Sequence, residues 1–165
     1  MTPNISSFPE LLFLDAGSPA TAAELDQLEK RIERQLPESL RAWLEQHNGS
    51  MLDRVNYFLP MQSKPCLPCS IGVEYMLSAD EIDQALDQFG DSFPAGHVPF
   101  GDDGDGNYLL IAQDGTVCFW DWRGRIDLAS ASAVDNYTMR IAESLPAFLS
   151  ELGVGPLTEN EESSE

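Results

Sequence analysis

Basic residues and histidines are scarce in this sequence. Its 165 residues contain 9 Lys and Arg, 28 Asp and Glu and 2 His, so the formal net charge is −19 at pH 7. A surface of this sign repels nucleic acids and anionic membranes, because both are themselves negatively charged. We therefore expect no nucleic acid and no membrane among its partners, and we expect it to attract proteins with a basic surface. An acidic surface that only maintains solubility is the alternative.

Cysteines and long apolar runs are also few. The three cysteines, Cys66, Cys69 and Cys118, cannot all pair within one chain, and they do not form the dense framework of a small secreted domain. No apolar stretch reaches the ~20 residues that cross a bilayer, and the N-terminus lacks the basic region of a secretory signal. These absences predict a cytoplasmic protein.

Motifs for catalysis or metal binding are missing as well. A zinc site would need two ligands besides Cys66 and Cys69, but Cys118, His47 and His97 have spacings unlike any standard finger. Neither histidine lies in a motif that would support a nucleophile, and paired carboxylates occur in any chain this acidic. We therefore expect no enzyme activity, no cofactor and no metal.

The sequence does contain clear helix and strand signals. Capping-box spacing predicts helices that begin after Thr21 and Ser78, Pro37 suits the first turn of another helix, and a final helix begins near Ser144. Predicted strands cover residues 71–77, 108–113, 116–122, about 126–129 and 137–141, and the pair 108–113 and 116–122 forms a hairpin around Asp114-Gly115. Residues 50–70 and 91–107 are predicted to be irregular. The class is α+β: a single domain with a mainly antiparallel twisted sheet and N-terminal, middle and C-terminal helices packed on it.

The loop "GDDGDGN" at 101–107 could bind a metal or a phosphate, or form a turn. Asp103, Asp105 and Asn107 match the first ligands of a calcium loop, but Tyr108 occupies the position where glycine is required. Aspartates would repel a phosphate. The favoured interpretation is a turn in which glycines adopt positive φ and the aspartate side chains accept hydrogen bonds from turn amides.

Residues 65–122, which we call the acidic segment, contain eleven Asp and Glu and no Lys or Arg. We expect this segment to carry a partner-binding surface. The candidate residues are Glu74, Asp80, Asp83, Asp87, Asp102, Asp103, Asp105, Asp121 and Trp122.

Four motifs occur in an order that resembles the SUKH superfamily. They are "LPESLRAWLEQHNG", "VPFGDDGDGNYLLI", "GTVCFWDW" and "SLPAFLSEL", within residues 21 to 152. This superfamily includes fungal cell-wall regulators of the Smi and Knr type and many bacterial toxin-immunity proteins. The resemblance implies a SUKH-like domain at 21–155. The prolines at positions 3, 9 and 19 predict an N-terminal arm at 1–20, which departs from the family pattern, and the glutamate-rich C-terminus predicts an acidic disordered tail at 156–165.

The resemblance also implies a function. The expected function is that of an immunity protein, which binds a cognate toxin domain, a nuclease or another polymorphic toxin, and blocks its active-site region. The alternative is a non-enzymatic intracellular adaptor or regulatory domain of the Smi/Knr type. We expect the protein to be a monomer or a weak dimer.

Overall fold

One antiparallel sheet with four helices makes up the part of the chain that the computed structural model describes, residues 13–58, 70–122 and 138–152. The strands are adjacent in chain order, so each pairs with the one that follows it. They are β1 (Phe13–Ala16), β2 (Ser50–Phe58), β3 (Ser70–Met76), β4 (Val98–Asp102), β5 (Tyr108–Ile111), β6 (Val117–Trp120) and β7 (Thr138–Ala142). The helices are α1 (Ala22–Ile32), α2 (Glu38–Leu44), α3 (Ala79–Phe89) and α4 (Leu145–Glu151). The predicted α+β class is confirmed.

The helix starts follow from local side-chain chemistry. At α3, the Ser78 hydroxyl accepts a hydrogen bond from the amide of Glu81, and the Glu81 carboxylate accepts one from the amide of Ser78. Thr21 and Glu24 make the same reciprocal pair at α1. Each box satisfies amides that an α-helix leaves without a partner at its N-terminus. Both predicted capping boxes are confirmed.

Two strands lie where the sequence predicted irregular structure. β2 covers residues 50–58, and its pairing with β3 shifts register between Met51 and Val55. Such a bulge interrupts the alternation of apolar and polar residues that identifies a strand. β4 contains Pro99, which cannot donate a ladder hydrogen bond and usually argues against an interior strand. It also shifts register, between Pro99 and Gly101.

The main core lies between one face of the sheet and the helices. Leu109, Phe119 and Met139 occupy paired positions on β5, β6 and β7 and are all buried, together with Trp43 of α2 and Phe148 of α4. Phe100 and Phe148 meet edge to face with ring centroids 5.8 Å apart. Trp43 and Phe148 thus anchor α2 and α4 in this core.

A smaller cluster covers part of the opposite face of the sheet. It contains Phe93, Leu110, Cys118 and Trp120. Residues 108 and 110 alternate with 109 and 111 along β5, so the two clusters are on opposite sides of the same strand. The sheet is therefore apolar on both faces at its centre.

Several predictions concern other residues. The strand near 126–129, the pair Cys66 and Cys69 and the tail at 156–165 lie outside the described residues. β1 lies within the predicted N-terminal arm and pairs with β2. The three domain boundaries stay predictions.

Candidate protein-binding surface

The Asp-rich loop after β4 is a closed turn, as the sequence predicted. The Asp103 carboxylate accepts hydrogen bonds from the amides of Asp105 (2.8 Å) and Asn107 (3.1 Å) and from Asn107 Nδ2 (2.8 Å). Asp102 Oδ1 accepts from the amide of Gly104 at 2.8 Å. These contacts orient Asp103 toward its own loop, so it is a weaker candidate for contact with a partner. Asp105 is exposed on the same loop.

Glycine at 104 allows the loop to close against β3. Gly104 has φ +76°, in the left-handed region that favours glycine, and a Cβ at this position would lie 1.7 Å from Glu74 Oε2. The carboxylate of Glu74 therefore lies directly over the loop backbone. Glu74 and Asp102 are brought close together by this packing, although 28 residues separate them in the chain.

Asp102 is the carboxylate with the most perturbed titration in this region. The pKa of Asp102 is raised to about 6, chiefly by burial; the hydrogen bond from Gly104 opposes the shift, and the negative charges of Asp103, Glu74 and Glu81 add to it. Among the described residues, no Lys or Arg forms an ion pair with Asp102. The ionised carboxylate is thus half-buried among like charges.

Helix α3 presents two further candidates, but a base from α1 already pairs with them. Arg31 Nη1 lies 3.0 Å from Asp83 Oδ1, and Arg31 Nη2 donates to Asp87. The hydrogen bond to Asp87 is the main cause that raises the pKa of the Arg31 guanidinium. The acidic segment contains no base of its own, yet the fold supplies one from a helix more than fifty residues earlier. Asp83 and Asp87 are therefore partly neutralised.

Asp80 faces solvent at the first turn of α3. Its carboxylate accepts a hydrogen bond from Gln84 Nε2 at 2.8 Å. It also lines a cavity of about 260 Å³ between α1 and α3, together with Glu24, Gln27, Leu28, Ala79 and Asp83. Of the candidates on α3, Asp80 is the one without an ion pair among those described.

Two candidates at the end of β6 lie in opposite environments. Asp121 is fully buried, so its carboxylate cannot face a partner, and we remove it from the candidate set. Trp122 is 48% exposed, and its ring stacks on Trp120 with centroids 5.2 Å apart and an interplanar angle of 15°. Phe119 and Trp120 are core residues, whereas Trp122 lies at the rim.

One surface aromatic residue, Tyr75, escaped the sequence analysis. Tyr75 is 41% exposed although it lies in a strand with the buried residues Ile71 and Val73. Tyr75 pairs with Asp102, Asp102 with Tyr108, and Tyr108 with Trp120. Directly opposed residues of antiparallel strands share a face. We call these four residues the sheet row. Only the strand register reveals it, because the four positions are spread over 46 residues.

The surroundings of the two histidines and of Cys118 indicate roles in packing and not in chemistry. His47 packs against Trp43 with ring centroids 4.5 Å apart, and burial lowers the pKa of its imidazole. Burial raises the pKa of the Cys118 thiol to about 11, so this thiol is a poor nucleophile. His97 Nδ1 lies 3.1 Å from the carbonyl oxygen of Ala95. Over residues 13–58, 70–122 and 138–152, no group of three or more His, Cys, Asp or Glu could hold a metal ion.

Comparison with known proteins identifies the family. Residues 19–151 match the SMI1 / KNR4 family (SUKH-1). The chain is also 27% identical over 128 residues to the SPbeta prophage-derived uncharacterized protein YokK of Bacillus subtilis (strain 168). The aligned region covers 66% of this chain and 67% of that protein. Of the helices in the described ranges, none has the length and apolar character needed to span a bilayer. Since the family match extends over most of the sequence, this chain belongs to the SMI1 / KNR4 family (SUKH-1).

Proposed function

We propose that this protein is a non-enzymatic immunity protein, which binds a cognate toxin domain and blocks its active-site region. The observation that carries the proposal is membership of the SMI1 / KNR4 family, which is known for toxin-immunity roles. The partner we propose is a protein with a basic surface, such as the substrate groove of a toxin that acts on nucleic acid.

The charge distribution supports this type of partner. Glu74, Asp80 and Asp102 are exposed or half-buried carboxylates of the acidic segment with no ion pair among the described residues. A surface of one sign steers an oppositely charged protein into encounter and raises the association rate, and salt weakens the effect. These three residues, together with the exposed Asp105 and Trp122, form the proposed surface.

Buried aromatic contacts would then determine how long the complex lasts. Binding energy at interfaces concentrates in a few large side chains that become fully desolvated, and Trp and Tyr are enriched among them. Trp122 and Tyr75 are the exposed large hydrophobic side chains of the described residues. Tyr75 is directly opposite Asp102 in the sheet, which supports an exposed aromatic side chain beside an acidic one at this surface.

Co-expression with a toxin tests the proposal. If the reading frame immediately upstream of this chain encodes a secreted protein with a variable C-terminal domain, that domain is the toxin to produce in a sensitive bacterial host. Growth should be rescued by the wild-type chain, and the two proteins should co-purify as a stable complex of fixed stoichiometry. A chain with Trp43→Ala, which should be strongly destabilised, serves as the negative control.

Failure of rescue with a folded, co-expressed chain would contradict the immunity function. A complex that forms without rescue would favour the adaptor type of the same family. The two outcomes are separated by measuring growth and co-purification in the same cells.

A further inference from the structure

We draw no further inference here: the strongest candidate, the cavity of about 260 Å³ between α1 and α3, is lined by the carboxylates of Glu24, Asp80 and Asp83, which already accept hydrogen bonds or form an ion pair within the fold, and nothing in the structure shows what would occupy it.

Discussion

At the residue scale, the exposure of a side chain can change completely from one position to the next, as it does between Asp121 and Trp122. They are adjacent in the chain, yet the first is fully buried and the second is 48% exposed. Both residues follow β6, which ends at Trp120, so the packing around each side chain, and not the alternation of a strand, sets its exposure. The charged carboxylate is therefore buried and the apolar indole is exposed, the reverse of what their chemistry alone would suggest. Charge identifies candidates for a surface, but it does not place them there.

The buried aromatic residues of α2 and α4 should be essential for stability. Trp43 and Phe148 are 1% and 0% exposed. Replacing either with alanine should lower the free energy of unfolding by about 3 to 5 kcal/mol, because both the burial and the packing of a large ring are lost. Urea denaturation followed by circular dichroism measures this change.

Trp122→Ala is the matched control for this prediction. About half of its side chain is already in water, so the loss should be clearly smaller than for Trp43. Similar denaturation midpoints for Trp43→Ala, Phe148→Ala and the wild type would contradict the helix faces described above.

Asp102 should make the fold less stable as the pH rises. Its pKa is about 6 in the folded state and ~3.9 in an unfolded chain, so between these values the folded state holds a proton that the unfolded state has released. The contribution to stability is complete below pH 4 and is lost as the pH rises through 6. Because the carboxyl is half-buried and solvent screens its neighbours, we expect a loss of about 1 kcal/mol.

The variant Asp102→Asn isolates this contribution. It should be more stable than the wild type at pH 7 by about 1 kcal/mol, and the difference should disappear near pH 4. Urea denaturation at both pH values measures the difference. A constant offset between the two proteins across this range would contradict the assigned titration.

At the scale of elements, Arg31 connects α1 to α3 and reduces the charge of the helix pair. Both of its acidic partners are substantially exposed, with side chains 44% and 63% accessible. Removing the pair by Arg31→Gln should therefore cost less than ~1 kcal/mol of stability. It should also leave Asp83 and Asp87 uncompensated, so association with a basic toxin should become faster at low salt.

Stopped-flow mixing with the toxin domain measures this rate. Lys30→Gln is the control, because it removes the same charge from the adjacent position on α1, and no ion pair of Lys30 is among those described. A larger acceleration in Arg31→Gln than in Lys30→Gln is expected. Equal rates in the two variants would mean that Asp83 and Asp87 do not contribute to the encounter.

At the scale of the whole molecule, the net charge of −19 acts on any charged partner before contact. The distribution of that charge should determine where the partner lands. We expect the triple variant Glu74→Gln, Asp80→Asn and Asp102→Asn to associate with the toxin about tenfold more slowly at low salt and to show a flatter salt dependence.

The matched control changes the same number of charges outside the acidic segment. Glu38→Gln, Glu143→Gln and Glu151→Gln together alter the net charge equally, and all three residues are exposed. This control should associate nearly as fast as the wild type, as should a chain truncated before residue 158. If instead truncation abolishes association and the first triple variant does not slow it, the tail is the binding element.

The sequence alone determined the elements whose signals are local. Capping boxes at Thr21 and Ser78, the Asp114-Gly115 turn and the self-contained hydrogen bonds of Asp103 depend on residues a few positions apart, so they could be predicted without the fold. The four ordered motifs likewise led to the family. β2 and β4 were missed because register shifts and a proline disturb the period by which strands are recognised.

Only the tertiary structure decided which acidic residues are available to a partner. Arg31 reaches Asp83 and Asp87 from another helix, Asp121 is buried just after β6, and Glu74 packs over Gly104. The sheet row is likewise a product of strand register, which aligns side chains from β3 to β6 on one face. Each of these relations joins residues far apart in the chain, and long-range contacts of this kind form only when the sheet and helices pack together.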